Sequence, residues 1–91
     1  MIHQVDIQAV EKELLKTPKA LVIKFQKWVD DIEKYGLEEV RRVRGWHDHA
    51  LKGGRAGQRA IYLNKQWRAV YVIEGAGVKI VRVIEVHSHA Y

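Results

Sequence analysis

Apolar residues in the first part of the chain recur at helical spacing. Ile7–Lys16 has the pattern of a short amphipathic helix, whereas Met1–Asp6 has no clear pattern. A longer helix is predicted to follow, with Thr17 as its N-cap and Pro18 at its first position, where the missing N–H costs nothing. Gly36 is expected to end it. Its apolar face, which we interpret as core, consists of Leu21, Phe25, Trp28, Ile32 and Tyr35.

From Gln58 onward apolar and polar residues alternate, as they do in strands that are half-buried in a sheet. Before that point, Leu37–Arg42 predicts one helical turn and the glycine-containing stretch Val43–Gly57 predicts a loop of functional size. Short turns separate three predicted strands: Arg59–Leu63, Trp67–Ile73 and Val78–Val86. Helices followed by strands predict one α+β domain over residues 1–91, with the N-terminal helices packed on an antiparallel sheet of three or four strands.

The composition excludes several classes of protein. The chain has no cysteine, so disulfides, zinc ribbons and thiol nucleophiles are excluded, and a reducing cytoplasm is the expected location. The longest apolar run, Ala69–Ile73, is too short to span a membrane. Residues 1–40 hold six Lys and eight acidic residues, whereas residues 41–91 hold ten basic residues, every Arg among them, and three acidic residues. This excess favours a polyanionic partner, and nucleic acid in particular.

Four of the five histidines form two pairs that could carry chemistry. His47 and His49 lie in the loop before the sheet, and His87 and His89 lie at the end of the last strand. Imidazole can bind a metal, and it can also serve as an acid or base in reactions of phosphate esters. A surface location without function is the third alternative. A serine triad is disfavoured because the only serine, Ser88, adjoins both histidines of the second pair, and successive residues of a strand point to opposite faces.

The basic residues between the two pairs favour phosphate chemistry over a metal site, since a cation cluster repels a metal ion and attracts phosphate. RNA can be cleaved without a metal by a base, an acid and a cation that stabilises the transition state. Tyr62 and Tyr91 could stack on unpaired bases. We expect RNA contacts from Lys52, Arg55, Arg59, Tyr62, Lys65 and His87. Arg59 and Ile61 are two residues apart in a predicted strand and so face the same side, which means that Arg59 could also lie at the edge of the core.

The second half of the chain resembles the RelE/HigB-like toxins of bacterial toxin–antitoxin modules. The similarity covers residues 43–91. It lies in the segment His-Ala-Leu-Lys-Gly-Gly-Arg-Ala-Gly-Gln from His49, in Ile-Tyr-Leu-Asn-Lys-Gln-Trp-Arg from Ile61, and in the ending Glu-Val-His-Ser-His-Ala-Tyr from Glu85. The family's pattern is a histidine, Leu-Lys-Gly-x-Arg-x-Gly, a strand, a turn ending in an aromatic residue and Arg, and a C-terminal His or Asp beside a Tyr. The helical first half of the chain agrees with the family only in the arrangement of its predicted elements.

The resemblance implies a small cytoplasmic α+β toxin that enters the ribosomal A site and cuts mRNA without a metal or other cofactor. A cognate antitoxin would block it. The implied catalytic residues are His49 as an acid or base, Arg68 for charge stabilisation, and His89 and Tyr91 for positioning or protonating the substrate. Lys52 and Arg55 would hold phosphates.

Three other functions remain open at this point. A ParE-like gyrase inhibitor would share the scaffold but would not need groups that titrate near neutral pH. A non-catalytic nucleic-acid-binding module would need only the charge. A metal-dependent enzyme would use the two histidine pairs.

Overall fold

The computed structural model describes residues 3–75 and 78–88, in which helices cover one face of a mixed β-sheet. The helices are α1 (Glu11–Lys16), α2 (Lys19–Tyr35) and α3 (Leu37–Arg41). The strands are β1 (His3–Asp6), β2 (His49–Ala50), β3 (Arg59–Tyr62), β4 (Trp67–Glu74) and β5 (Lys79–Ser88). Short 3-10 turns span Gln8–Val10, Arg44–Trp46 and Gly53–Arg55. No helix in these two ranges combines the length and apolar character that a membrane crossing requires.

The described strands form one five-stranded sheet in the order β1-β5-β4-β3-β2. The neighbours are antiparallel except for β1, which pairs with β5 in parallel. The predicted α+β class is therefore confirmed, but the sheet has more strands than expected and is mixed. Neither additional strand shows a recognisable alternation: β1, His-Gln-Val-Asp, has a single apolar residue, and β2 has only two residues.

The apolar stripe of α2 packs on the inner face of the sheet. Trp28 is fully buried, with its ring centroid 5.3 Å from that of Tyr71 on β4. Tyr35, the last residue of the predicted stripe, is 58% exposed and does not belong to the core. The core of the described residues comprises Val10, Phe25, Trp28, Val29, Ile32, Leu37, Val40, Trp46, Ile61, Leu63, Ala69, Tyr71, Val81, Val83 and Val86.

The start of α2 differs from the prediction by one residue. The Thr17 hydroxyl donates to the Glu13 carbonyl at 2.7 Å, at the end of α1, so it does not cap α2. Pro18 is the N-cap residue instead, and its carbonyl accepts from the amides of Leu21 and Val22. The physical reason is that Pro18 itself has a non-helical ψ of 137°, so the helix begins at Lys19 and Thr17 lies one residue too early to cap it.

The turn between β3 and β4 fixes which side chains face each other across the two strands. The Asn64 carboxamide oxygen accepts from the backbone amides of Gln66 at 2.8 Å and Trp67 at 2.7 Å. The resulting register places Tyr62 opposite Arg68. On the other side of β4, Arg68 faces His87, because β5 continues to Ser88, beyond the predicted end at Val86.

Candidate functional site

The face of the sheet that the helices leave uncovered carries polar and aromatic side chains. Tyr62 lies between the buried residues Ile61 and Leu63, so its ring points away from the core. Glu85 and His87 flank the buried Val86 and point the same way. We call this side of the sheet the open face.

Tyr62 lies at the centre of a group of four side chains on the open face, which we call the Tyr62 cluster: His47, His49, Tyr62 and Arg68. The Arg68 guanidinium carbon lies 5.1 Å from the Tyr62 ring centroid, which is within cation–π distance. The His49 ring meets the same tyrosine edge-on at 5.5 Å and 82°, and the His47 ring lies tilted at 5.4 Å. The cluster therefore joins two imidazoles and one fixed cation around one aromatic ring.

The backbone around the first histidine pair is unusual. His47 has a φ of 50°, the left-handed region that non-glycine residues rarely adopt, and it ends the turn Arg44–Trp46. The carbonyl of His47 lies 2.7 Å from Nδ1 of His49. This contact orients the His49 ring and directs its Nε2 away from its own backbone. The left-handed residue thus brings both rings of the pair onto Tyr62.

Asp48, the residue between the two histidines, is anchored on the opposite side of the sheet. Its side chain is 2% exposed, and its Oδ1 accepts from Arg59 Nε at 2.7 Å. Its Oδ2 accepts a hydrogen bond from the Tyr71 hydroxyl, and Arg41 Nε lies 4.0 Å from Oδ1. We call Asp48, Arg41, Arg59 and Tyr71 the Asp48 network. It connects the loop of the histidine pair to α3, β3 and β4.

The network perturbs the protonation of its members. Burial raises the pKa of the Tyr71 phenol well above its ordinary value, and the hydrogen bond to Asp48 raises it further. Burial lowers the pKa of Arg59, but the hydrogen bond and the charge of Asp48 outweigh it and leave that pKa raised. Tyr71 is thereby held neutral and Arg59 charged.

Arg59 is therefore not brought together with the other expected RNA contacts. It points to the same face of the sheet as the buried Ile61, as its strand position indicated, and its guanidinium forms an ion pair with Asp48. We assign it to the Asp48 network rather than to the open face.

A second group on the open face is built around Glu85. The Arg55 guanidinium forms an ion pair with Glu85 Oε2 and also donates to Gln58 at 2.7 Å. Glu85 Oε1 lies 3.2 Å from His87 Nε2. We call Arg55, Glu85 and His87 the Glu85 bridge. It adjoins the Tyr62 cluster, since His87 lies opposite Arg68 in the strand register.

The remaining predicted site residues lie at the margins of this region or outside the described ranges. Lys52 is exposed just before the turn Gly53–Arg55, and Lys65 is exposed in the turn after β3. His89 and Tyr91 lie outside the described residues.

Sequence reasoning missed Glu85 and assigned no role to Asp48. Glu85 and His87 are two residues apart on one strand, so their side chains share a face, and this spacing could have indicated Glu85 as a site residue. The signal for Asp48 was weaker, because nothing in a loop sequence shows that a carboxylate will be buried. No three His, Asp or Glu side chains among the residues described converge as metal ligands would.

Two cavities formed by the described residues lie away from the open face. One, of about 270 Å³, is lined by Asp31, Tyr35, Glu39, Val40 and Val43. Another, of about 380 Å³, is lined by Lys24, Lys27, Asp31, Val43, Gly45 and Trp46. Neither contains a residue of the Tyr62 cluster or of the Glu85 bridge.

The chain was compared with known proteins by sequence and by structure. Its sequence matches no protein-family model and no curated protein. Its structure is similar to the RelBE2 toxin–antitoxin complex of Mycobacterium tuberculosis, with a TM-score of 0.69 at 16% identity, covering 97% of this chain and 99% of that one.

Two further solved structures are similar over nearly their full length. The archaeal RelE–RelB complex of Pyrococcus horikoshii gives a TM-score of 0.68 at 23% identity, covering 98% of this chain and 97% of that one. The YoeB–YefM complex of Staphylococcus aureus gives 0.68 at 18% identity, covering 99% of this chain and 100% of that one. The chain therefore has the fold of the RelE/ParE toxin superfamily.

Proposed function

We propose that this chain with a RelE-like fold is the toxin of a toxin–antitoxin module, and that it is a cytoplasmic endoribonuclease that cuts translated mRNA without a metal. The Tyr62 cluster is the observation that carries the proposal. It presents two imidazoles, a guanidinium and an aromatic ring together on a face that the helices leave open.

The chemistry of RNA cleavage assigns a role to each group. A base removes the proton of the 2′-hydroxyl, the 2′-oxygen attacks the phosphorus, and the bond to the 5′-oxygen breaks as an acid protonates that oxygen. His49 would be one of these two proton-transfer groups. Arg68 would stabilise the negative charge that develops on the phosphate oxygens. The products are a 2′,3′-cyclic phosphate and a 5′-hydroxyl.

The surrounding residues would hold the strand. Tyr62 offers an aromatic surface for an unpaired base, and Lys52, Lys65 and Arg55 offer cations for phosphates. His89 and Tyr91 are retained in the proposal as groups that position or protonate the substrate, on the strength of the sequence resemblance.

A toxin of this kind requires a cognate antitoxin. One of the similar structures, RelBE2, is described as a toxin–antitoxin complex, and two others are described as complexes of YoeB with YefM and of RelE with RelB. We propose that the partner of this chain is a protein of the same role, encoded by a neighbouring gene, and that its other partners are the ribosomal A site and mRNA.

Induced expression in bacteria tests the toxin role directly. The wild-type chain should arrest growth and deplete abundant mRNAs on a northern blot, whereas co-expression of the neighbouring gene should restore both. Growth arrest with intact mRNA and inhibited DNA supercoiling would instead indicate a gyrase inhibitor.

A further inference from the structure

The Glu85 bridge has the chemistry of an anion-binding site, and the anion bound there is the protein's own Glu85 carboxylate. Arg55 contacts one carboxylate oxygen of Glu85, and His87 Nε2 lies 3.2 Å from the other. The two side chains come from distant parts of the chain, the turn before β3 and the end of β5. They converge on a single carboxylate.

A carboxylate and a phosphodiester present the same arrangement to such donors. Each offers two oxygens that share a negative charge, and a guanidinium binds either of them through parallel N–H bonds. Donors that converge on the Glu85 oxygens are therefore also placed to receive two phosphate oxygens. The side chains of Arg55, Glu85 and His87 are 42%, 37% and 39% exposed, so an incoming strand can reach them.

We propose that Arg55 and His87 form a phosphodiester subsite of the open face, and that Glu85 occupies this subsite until nucleic acid displaces it. The inference rests on the proposed function for the identity of its ligand, an RNA strand. It assigns to Glu85 the role of an internal competitor, which keeps the Arg55 guanidinium and the His87 imidazole paired in the free protein and lowers the affinity for RNA.

The position of the bridge supports this order of events. His87 lies opposite Arg68 in the register, so the subsite adjoins the cation proposed to act on the scissile phosphate. A phosphate held by Arg55 and His87 would be a neighbour of the scissile one along the same strand. Exchange of one exposed ion pair for another costs little, because such pairs are worth about 1 kcal/mol or less.

Binding of a non-cleavable RNA tests the proposal. The probe is a short oligonucleotide with 2′-O-methyl groups, and its binding is followed by fluorescence anisotropy. Glu85→Gln should bind it up to about fivefold more tightly than the wild type, the gain expected when one exposed ion pair no longer competes.

Glu74→Gln is the matched control. Glu74 on β4 also pairs with an arginine, Arg82 on β5, at 3.1 Å and near the β4–β5 turn, and its side chain is 47% exposed. The two variants change the net charge equally, so Glu74→Gln should change the affinity less than twofold. Equal effects of the two variants, or weaker binding by Glu85→Gln, would overturn the proposal.

Titration of the wild-type protein with inorganic phosphate gives a second measurement that needs no variant. The NMR signals of the Arg55 Nε–H and of the His87 ring should shift more than that of the Arg82 Nε–H. A shift at Arg82 that equals or exceeds them would contradict the subsite. If Glu85→Gln binds more tightly but the wild type cuts no translated mRNA, the subsite is correct and the proposed function is wrong.

Discussion

At the scale of single residues, the open face depends on Tyr62. Its ring contacts two histidines from the preceding loop and one arginine from the next strand. The Arg68 guanidinium lies over the ring, and a cation placed in advance stabilises a developing charge without the cost of reorganisation. In the proposed mechanism, His49 therefore transfers a proton and Arg68 stabilises charge.

Substitution of these two residues should separate activity from folding. His49→Gln should lower the rate of mRNA cleavage on the order of 10²-fold, the usual loss for an acid–base group, and Arg68→Ala should lower it on the same order. Both side chains are only half-buried, so the melting temperature should change little. The control is Arg42→Ala, an exposed arginine of which 77% of the side chain is accessible, and it should cleave like the wild type. Full activity of folded His49→Gln and Arg68→Ala would place the catalytic groups elsewhere.

The Asp48 network gives the protein a specific alkaline response. Because the pKa of Tyr71 is raised in the folded state, its contribution to stability is complete below pH 10, the ordinary tyrosine value, and is lost as the pH rises above it. The unfolded chain releases that proton while the folded chain keeps it.

Urea unfolding of the wild type and of Tyr71→Phe measures this effect. At pH 9 the wild type should be more stable by about 1.5–3 kcal/mol, the range for a hydrogen bond to a charged group. At pH 11 this advantage should shrink by about 1.4 kcal/mol, the value of one pH unit. An advantage that is the same at both pH values would contradict the raised pKa.

At the scale of elements, the hairpin of β4 and β5 begins with a position at which any residue other than glycine is strained. Gly75 has a φ of +94°, and a Cβ at this residue would lie 2.2 Å from the Val78 carbonyl oxygen. Gly53 has a φ of +69° but nothing within 4 Å of such a Cβ. The two glycines therefore separate the cost of an unfavourable φ from the cost of a steric clash.

Alanine at the two positions should show that difference. Gly53→Ala should cost about 1 kcal/mol of unfolding free energy, from the left-handed backbone alone. Gly75→Ala should cost about 1–3 kcal/mol more, because the β4–β5 turn must move to relieve the contact. Chemical denaturation measures both. Equal costs would show that the turn moves without penalty.

The elements with strong periodicity could be predicted from the sequence, and the short ones could not. The α2 stripe was predicted through Phe25, Trp28 and Ile32, since a 3.6-residue period over seventeen residues leaves little ambiguity. The two residues of β2 follow no period; their pairing with β3 is decided by tertiary contacts that include the burial of Asp48. For the same reason the convergence of His49, Tyr62 and Arg68 could be anticipated only as one alternative among several.

At the scale of the whole molecule, the chain divides into an acidic helical half and a basic sheet half. The helices up to residue 40 carry more acidic than basic residues, and the later part carries ten basic residues against three acidic ones. An asymmetric charge directs a polyanion to one side of the protein, so RNA should approach the sheet rather than the helices. The last three residues, 89–91, belong to this basic half of the sequence.

Deletion of residues 89–91 tests their part in catalysis. The truncated chain keeps every residue of the described core, so it should still fold, while mRNA cleavage should fall at least tenfold through loss of His89 and Tyr91. The truncated chain keeps His87 and Ser88 because these two residues pair with β4 and support the sheet. A truncated chain that folds and cleaves at the wild-type rate would exclude the two residues from catalysis.

Primer extension on a defined mRNA in a purified translation reaction tests the central claim most directly. The wild-type protein should produce cuts at a fixed position within codons, and only when ribosomes are translating that mRNA. Arg68→Ala should produce the same cuts at a rate lower on the order of 10²-fold. The fragments downstream of each cut should carry 5′-hydroxyl ends, as the acid–base mechanism requires. Intact mRNA in the translating reaction, or the same cuts in RNA without ribosomes, would contradict the account.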